Sequence, residues 1–405
     1  MKASHPVVAE IQGLYGPFSF PEKLLQKIWL RGDFNRAAAR TVDGRRVRIV
    51  HPGKWNLLGG PDFKGARLSL EGGPEFVGDV ELHLRAADWE AHRHASDPAY
   101  DGVVLHVVLF PPDGAVVTRG AGREIPLLAL LPLLHHDLEE FAADDAVEVM
   151  AGRSSARMAE ELASLSQDAL AALLRRHAVK RWQQKVHFAR IRVQRLGWEE
   201  ACHHTALEIL GYRFNRAPML QVATRWPLKQ WEKGAVAPET VFGEVKADSG
   251  WSLHGVRPAN HPRLRLTQYA AWVRARPDWP ARLRELGRSF PRLEPTESTR
   301  DQRRRHRLTQ WRSELSTELC ADIWGGTRLD TLACDGFWPL VAAIDGQGDG
   351  NGLEGLWVHW FVGDLPPALK RGLVELGVAD GPGRPLAQGV AQGLLGWLWE
   401  REARR

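Results

Sequence analysis

The sequence predicts an α+β (α/β) protein, with a sheet flanked by helices in its N-terminal part and a mainly helical C-terminal part. Three observations carry that expectation. Between Arg46 and Phe110, apolar runs of strand length alternate with turn residues. After about Asp144 the apolar residues recur at helical spacing in an Ala/Leu/Arg-rich background. Charge divides at the same place: residues 1–150 hold 16 Lys and Arg against 21 Asp and Glu, and the remainder holds 38 against 28. The expected domains are therefore 1–148 and 149–405, the second with a candidate division near 290–310. A basic part beside an acidic, carboxylate-bearing part suits a polyanionic partner held near a metal site.

The elements follow in order. Leu24, Leu25, Ile28 and Trp29 in PEKLLQKIWLR have helical spacing, and Pro21 suits a first turn. Arg46 to Val50 alternates and stops at His51-Pro52-Gly53, as a strand and a turn do. Ala66 to Leu70, Val77 to Leu84 and Val103 to Phe110 read as further strands. DWEAHRHASDPAY, between the last two, has room for a short helix that Pro98 ends. Ala115–Val117 and Ile125–Leu130 are candidates to extend the sheet. Ala156 to Arg195 lacks Pro and Gly and predicts one or two long helices. Glu294 to Arg307, with its Arg303–Arg307 basic run, reads as a solvated helix or linker. Asp345 to Gly352 is a loop whose Asp, Gly and Asn content suits calcium, but a glutamate at the twelfth position and flanking helices are not evident.

Composition narrows the function classes. The chain of 405 residues has 44% hydrophobic and 25% charged content, as an ordinary globular protein does. No run approaches the ~18 apolar residues of a membrane span, and MKASHPVVAEIQG has no signal-peptide core. Cys202, Cys320 and Cys334 form neither a disulfide framework nor a zinc spacing. The expectation is a cytoplasmic protein with no membrane partner. Oligomeric state is not legible. Several of the 17 tryptophans, Trp357, Trp360, Trp397 and Trp399, sit in apolar runs and read as core.

The chemistry concentrates between Gly59 and Val108. In the strand around residue 81, alternate side chains share a face, so Asp79, Glu81, His83 and Arg85 project together. Charge on a strand that is otherwise apolar needs compensation, and a bound cation supplies it. Asp62 follows the turn Gly59-Gly60-Pro61 and could meet Glu81 around one Mg²⁺ or Mn²⁺. Four histidines, His83, His92, His94 and His106, lie within 24 residues, so zinc held by imidazoles and a carboxylate is the alternative. Taken singly, His106 reads first as a hydrogen-bonded core residue, and His92 and His94 as surface or capping groups. Asp79 reads as a turn or supporting residue, and Asp97 and Asp101 as turn residues.

Asp62, then Glu81-x-His83 on the next strand, in an order of helix, three strands, helix and strand, resembles the PD-(D/E)xK nuclease superfamily, the restriction-endonuclease-like fold. That resemblance implies a mixed sheet flanked by helices, and Asp62 and Glu81 as metal ligands. It gives Glu22 the place of the first-helix glutamate and His83 the place of the motif's lysine. Histidine there could act as a base or a ligand, His106 could support metal or water, and Lys64 could supply a displaced amine. Over most of its length the chain is also similar to a bacterial family known as domain of unknown function 2851. That similarity runs through GPDF, GDVELH, ADW, DPAY and VVLHVV, Ile28-Trp29, Gly211-Tyr212 with Asn215, RPANHP with Arg265, DGFWPL and LAQGVAQ. The family's frequent cysteine-rich tail is not in this sequence.

The functional expectation is a Mg²⁺- or Mn²⁺-dependent nuclease-like phosphodiesterase acting on DNA or RNA. Asp62 and Glu81 would bind metal, and Glu22, His83 and His106 would complete the site. Lys64, Arg175, Arg176, Lys180, Arg181 and Lys185 would hold the nucleic-acid backbone. One alternative is a non-catalytic nucleic-acid-binding or scaffold protein on a degenerate nuclease fold. The other is a zinc-dependent hydrolase using the histidine cluster.

Overall fold

A computed structural model describes residues 22–134 apart from 57–58, 113 and 115, and residues 160–403 apart from 213–214, 249–250, 252, 254–255, 257, 345–350, 366 and 380. The chain divides into two compact units, Met1–Leu138 and Glu139–Arg405. The domain boundary expected at 148/149, Pro21, and most of the Asp345–Gly352 loop lie outside the described residues.

Among the described residues, unit 1 is a mixed sheet with a helix packed on it and a short helix, Asp88–Ala91, between two of its strands. Strands β1 (Val47–His51), β2 (Lys54–Trp55), β3 (Phe63–Leu70), β4 (Phe76–His83), β5 (Val103–Val108), a hairpin of β6 (Thr118–Gly120) and β7 (Arg123–Ile125), and β8 (Leu127–Ala129) follow in the chain. The sheet order is β1-β3-β4-β5-β8, with β2 also on β3. Pairings on the β3 side are antiparallel, and β4–β5 and β5–β8 are parallel. Of the expected extensions, Leu127–Ala129 joins the sheet. Of the other, expected at Ala115–Val117, Ala115 lies outside the described residues and Val116 and Val117 are in no strand; the adjoining Thr118–Gly120 pairs with β7 in a separate hairpin. Parallel pairing places β4 and β5 in the middle, where both faces are covered, so Val80, Glu81, Leu82 and His83 are all buried.

Helix α1 (Glu22–Arg31) packs on β4 through Leu24, Leu25, Ile28 and Trp29, the four positions its spacing indicated. Trp29 stacks on Phe34 with ring centroids 5.8 Å apart and donates its indole N–H to Pro52 O at 3.0 Å. This lock fixes the azimuth of α1, and Glu22 and Gln26, four residues apart, then share one of its sides.

The pairing of β3 with β4 slips between Phe63 and Ala66, where Gly65 takes a left-handed φ of 66°. Gly65 N–H donates to Asp79 Oδ1 at 3.0 Å, so Asp79 pins this bulge. The last residue pair is Phe63↔Val80. Beyond it β4 runs on without β3, and the outward backbone groups of Leu82 and Leu84 must find other partners.

Unit 2 is helical around one aromatic-rich core that includes Trp182, Trp272, Trp279, Trp338, Trp357 and Trp360. Its axis is the 30-residue helix α2 (Gln167–Leu196), capped by Ser166 Oγ accepting from Ala169 N–H at 3.2 Å. The helix Gln388–Ala403 lies along α2, and Gly393 permits the approach because a Cβ there would strike the Leu174 carbonyl. The basic residues of α2, expected to hold a nucleic-acid backbone, are not all at the surface. Arg181, Lys185 and Arg192 are buried. Arg181 Nε donates to Gln392 Oε1 at 3.0 Å, Lys185 Nζ meets Asp335 Oδ1 at 2.9 Å, and Arg192 meets Glu208 at 2.7 Å. Arg303, expected in a solvated helix or linker, instead donates to the carbonyls of His359, Trp360 and Leu386 at 2.8–2.9 Å. Cys202, Cys320 and Cys334 are buried free thiols. Among the described residues no helix is long and apolar enough to cross a membrane.

Candidate metal centre

Where β3 leaves β4, side chains replace backbone. Asp62 Oδ2 accepts from Leu82 N–H at 3.0 Å, and the Glu22 carboxylate accepts from Leu84 N–H. Asp62 N–H in turn donates to Glu81 Oε2 at 3.0 Å. Three carboxylates from α1, the start of β3 and β4 therefore gather on one stretch of strand. Gln26 on α1 orients the arrangement. Its Nε2 donates to Asp62 Oδ1 at 2.6 Å, while its Oε1 accepts from Trp55 Nε1 at 3.1 Å. A carboxylate has about four lone-pair sites, so two hydrogen bonds leave Asp62 able to take a cation.

The electrostatics are unfavourable in the absence of a cation. Burial, and then the neighbouring Glu22, push Asp62 up to about 7 against the pull of Leu82 N–H. Burial, and then Asp62, push Glu81 up to about 9. Glu22 is raised by burial, with His92 pulling the other way. Tyr100 is pushed up to about 12 by burial, then by Glu81 and Asp62. Like charges crowded together in low dielectric disfavour ionisation, and a divalent ion reverses this.

On the other side of Glu81 stand the histidines. Glu81 Oε1 lies 3.5 Å from His83 Nε2 and 3.4 Å from His94 Nε2. His83 Nε2 is 3.1 Å from His92 Nδ1. One ligating nitrogen each from His83, His92 and His94 falls within 4.8 Å of the others. Burial, followed by His106, His94 and His92, holds His83 down to about 2, and burial lowers His94. Both shifts favour the neutral imidazole in His83 and His94, which argues against ion pairs with Glu81. Neutral imidazole is also the form that ligates metal.

Behind His83 runs a hydrogen-bonded relay. His83 Nδ1 is 2.9 Å from His106 Nε2, and His106 Nδ1 is 2.9 Å from Thr118 Oγ1. His106 is fully buried in β5, as its apolar strand predicted, and burial holds it down to about 3. When His106 Nδ1–H donates to Thr118, His106 Nε2 accepts from His83 Nδ1–H. His83 Nε2 is then left as a lone pair facing His92, His94 and Glu81. Trp89, anchored by its indole N–H to Arg119 O at 3.0 Å, stands edge-on to His83 and His94. Tyr100 stacks on His94 with centroids 3.8 Å apart.

His92 and His94, first read as surface or capping groups, converge on this point because of the residue between them. Side chains two apart on a regular helix diverge by roughly 200°. Arg93 breaks the helix in the left-handed region, at φ 60°, and folds His94 back beside His92. His92 is exposed and His94 buried.

Of the other candidate residues, Lys64 is exposed, with Nζ beside Gly60 in the turn before Asp62. In unit 2, Arg176 is exposed, Arg175 is half-buried with Nη2 3.5 Å from Thr296 O, and Lys180 pairs with Glu400. Arg181 and Lys185 are turned inward, so burial withdraws both from a nucleic-acid surface on α2. Gln26, Tyr100 and Thr118 were not singled out from the sequence. The position of Gln26, one helical turn after Glu22, was the available signal for it.

The profile of a family described as proteins of unknown function (DUF2851) matches residues 22–245, more than half of the chain, and the chain belongs to that family. The match covers every residue of the carboxylate and histidine groups. No curated protein matches the chain, and no solved structure matches it.

Proposed function

We propose that this member of the DUF2851 family is a divalent-metal-dependent phosphodiesterase of nuclease type, acting on DNA or RNA with Mg²⁺ or Mn²⁺. One observation carries the reading. Where β3 parts from β4, Asp62 takes the place of the missing strand on Leu82 and is joined through its own N–H to Glu81. That puts the half-buried Asp62 carboxylate beside the buried Glu81 carboxylate at a strand end, with Glu22 next to them. Hard cations select such oxygen donors, and an ion there would polarise the phosphoryl group and lower the pKa of water. The resemblance of Asp62 and Glu81-x-His83 to the PD-(D/E)xK pattern supports the same assignment.

Each side chain has a part. Asp62 and Glu81 hold the ion, and Gln26 fixes the Asp62 carboxylate. Glu22 adds negative charge and closes the β4 edge. Lys64, at the turn before Asp62, is placed to meet a phosphate. His83 occupies the position of the motif's lysine but is buried and neutral, so it brings no fixed positive charge.

The test is cleavage of labelled single- and double-stranded DNA and RNA by the full chain with Mn²⁺ or Mg²⁺. Activity should fall by at least about 100-fold in Asp62→Asn, on the scale of a lost electrostatic stabiliser. Absence of cleavage of all four substrates with either ion overturns the proposal, as does cleavage that Asp62→Asn leaves intact.

A further inference from the structure

We infer that His83, His92 and His94, with Glu81 as the oxygen donor, form a tetrahedral transition-metal site of the zinc class. This metal assignment goes beyond the phosphodiesterase reading and does not depend on the reaction. It rests on the convergence of donors from two separate segments, β4 and the His92–His94 turn.

The spacing is the first argument. Zinc binds imidazole nitrogen at about 2.0–2.1 Å, so two donors in a tetrahedral shell stand about 3.3 Å apart. His83–His92, His94–Glu81 and His83–Glu81 measure 3.1, 3.4 and 3.5 Å. Three edges of the expected polyhedron are thus present, and the three imidazole donors stay within 4.8 Å of one another.

Unmet bonding is the second argument. His94 is about nine-tenths buried at 8% exposure, and its Nε2 points at Glu81 Oε1 with no hydrogen bond. A buried imidazole nitrogen without a partner is costly, and a metal bond would remove that cost.

The third argument is the support around the donors. The His83–His106–Thr118 relay fixes the ring and its lone pair, as hydrogen bonds behind metal-bound histidines do. Tyr100 and Trp89 hold the His94 ring. Arg93 keeps a backbone conformation unfavourable for its side chain, and its effect is to bring two imidazoles together. Imidazole-rich donor sets select zinc, copper, iron or nickel over magnesium and calcium. The Asp62 side of Glu81 offers oxygen alone, so the two sides of that residue have different metal preferences.

The experiment is metal titration of the full chain after chelator treatment, with Zn²⁺ followed by calorimetry and Co²⁺ by its visible spectrum. Expected are one equivalent of Zn²⁺ per chain and an intense tetrahedral-type Co²⁺ band that Zn²⁺ displaces. His92→Ala should weaken Zn²⁺ binding by more than the roughly 10–100-fold typical of supporting residues, and Thr118→Val by about that range. His92 is exposed, so its variant tests the site even if His94→Ala fails to fold. Asp62→Asn should retain Zn²⁺, which separates this inference from the proposed nuclease activity. Sub-stoichiometric Zn²⁺, an octahedral Co²⁺ spectrum, or binding that His92→Ala leaves unchanged overturns it.

Discussion

Glu81→Gln should stabilise unit 1 of the metal-free protein, although it removes a central site residue. The folded environment pushes the Glu81 carboxyl up to about 9, through burial and then Asp62, from an ordinary value of 4.5. A raised value in the folded state means that unfolding releases a proton once pH exceeds 4.5. Stability is full below that pH and is lost as pH rises toward 9. At about pH 7 the loss spans about 2.5 pH units, or roughly 3 kcal/mol at 1.36 kcal/mol per unit. At about pH 5 it is under about 1 kcal/mol. Glutamine carries no such charge, yet its carbonyl can still accept from Asp62 N–H, and its amide can donate toward His83 or His94. The assay is hydrogen exchange of β3 and β4 peptides at matched pH, because it reads unit 1 alone. Protection in the variant should exceed wild type by about 100-fold near pH 7 and by only a few-fold near pH 5. Equal or lower protection at pH 7, or a gain that does not grow with pH, would refute the account of Glu81 as a carboxylate held against its own solvation.

Two further outcomes follow from the same structure. Arg93→Gly should stabilise the metal-free protein by about 1 kcal/mol, since only glycine occupies the left-handed region without a Cβ penalty; a destabilised variant in urea unfolding would show that the Arg93 side chain outweighs its backbone strain. In unit 2, His203 is fully buried between Tyr269 Oη at 2.6 Å and Trp226 O at 3.0 Å, and burial holds it down to about 4. Its lowered value favours the folded state above pH 6.5 and is a liability as pH falls toward 4, so acidification from about pH 7.5 to 5 should cost wild type about 2 kcal/mol more than His203→Gln; equal acid losses in urea titrations of the two proteins would remove His203 from the list of titrating groups.

Local patterns were legible where one residue type reports one environment. The apolar quartet of α1, the strand runs of β3, β4 and β5, and the helical second part all follow from period and composition, because burial selects side chains on a regular lattice. Asp62, Glu81, His83 and His106 stood out as polar residues inside or beside apolar strands, and they do meet. What escaped depends on backbone events that side-chain pattern does not encode. Arginine gives no warning of a left-handed φ, so His92 and His94 read as surface groups. The bulge at Gly65 and the parting of β3 from β4 depend on Asp79, fourteen residues away in sequence. The inward turn of Arg181, Lys185 and Arg192 on α2 is hidden for a related reason. Charges spread around a helix suggest solvation, but Asp335, Gln392 and Glu208 reach Lys185, Arg181 and Arg192 from helices that the local sequence does not announce.

On the proposed reading, in which His83 stands where the nuclease pattern has lysine, the side chain at position 83 decides what the site must receive. A lysine ammonium would bring positive charge to Asp62 and Glu81 from within the chain. The buried His83 brings none, and what acts on the two carboxylates is burial, other acidic groups and neutral donors, one backbone N–H each and the Gln26 amide on Asp62. The neutralising charge therefore has to come either as protons or as metal. Protons satisfy the carboxylates but leave His94 Nε2 without a bond. A metal ion bound as proposed would satisfy both, and it would have to displace the carboxyl proton, so its apparent affinity should rise with pH across the interval in which Glu81 would otherwise stay protonated. In a site with a lysine, the protein's own charge would already hold the carboxylates ionised and little proton release would accompany metal uptake. If His83 ligates as proposed, proton release on metal binding is the mark that would distinguish this centre from one with a lysine at the same position.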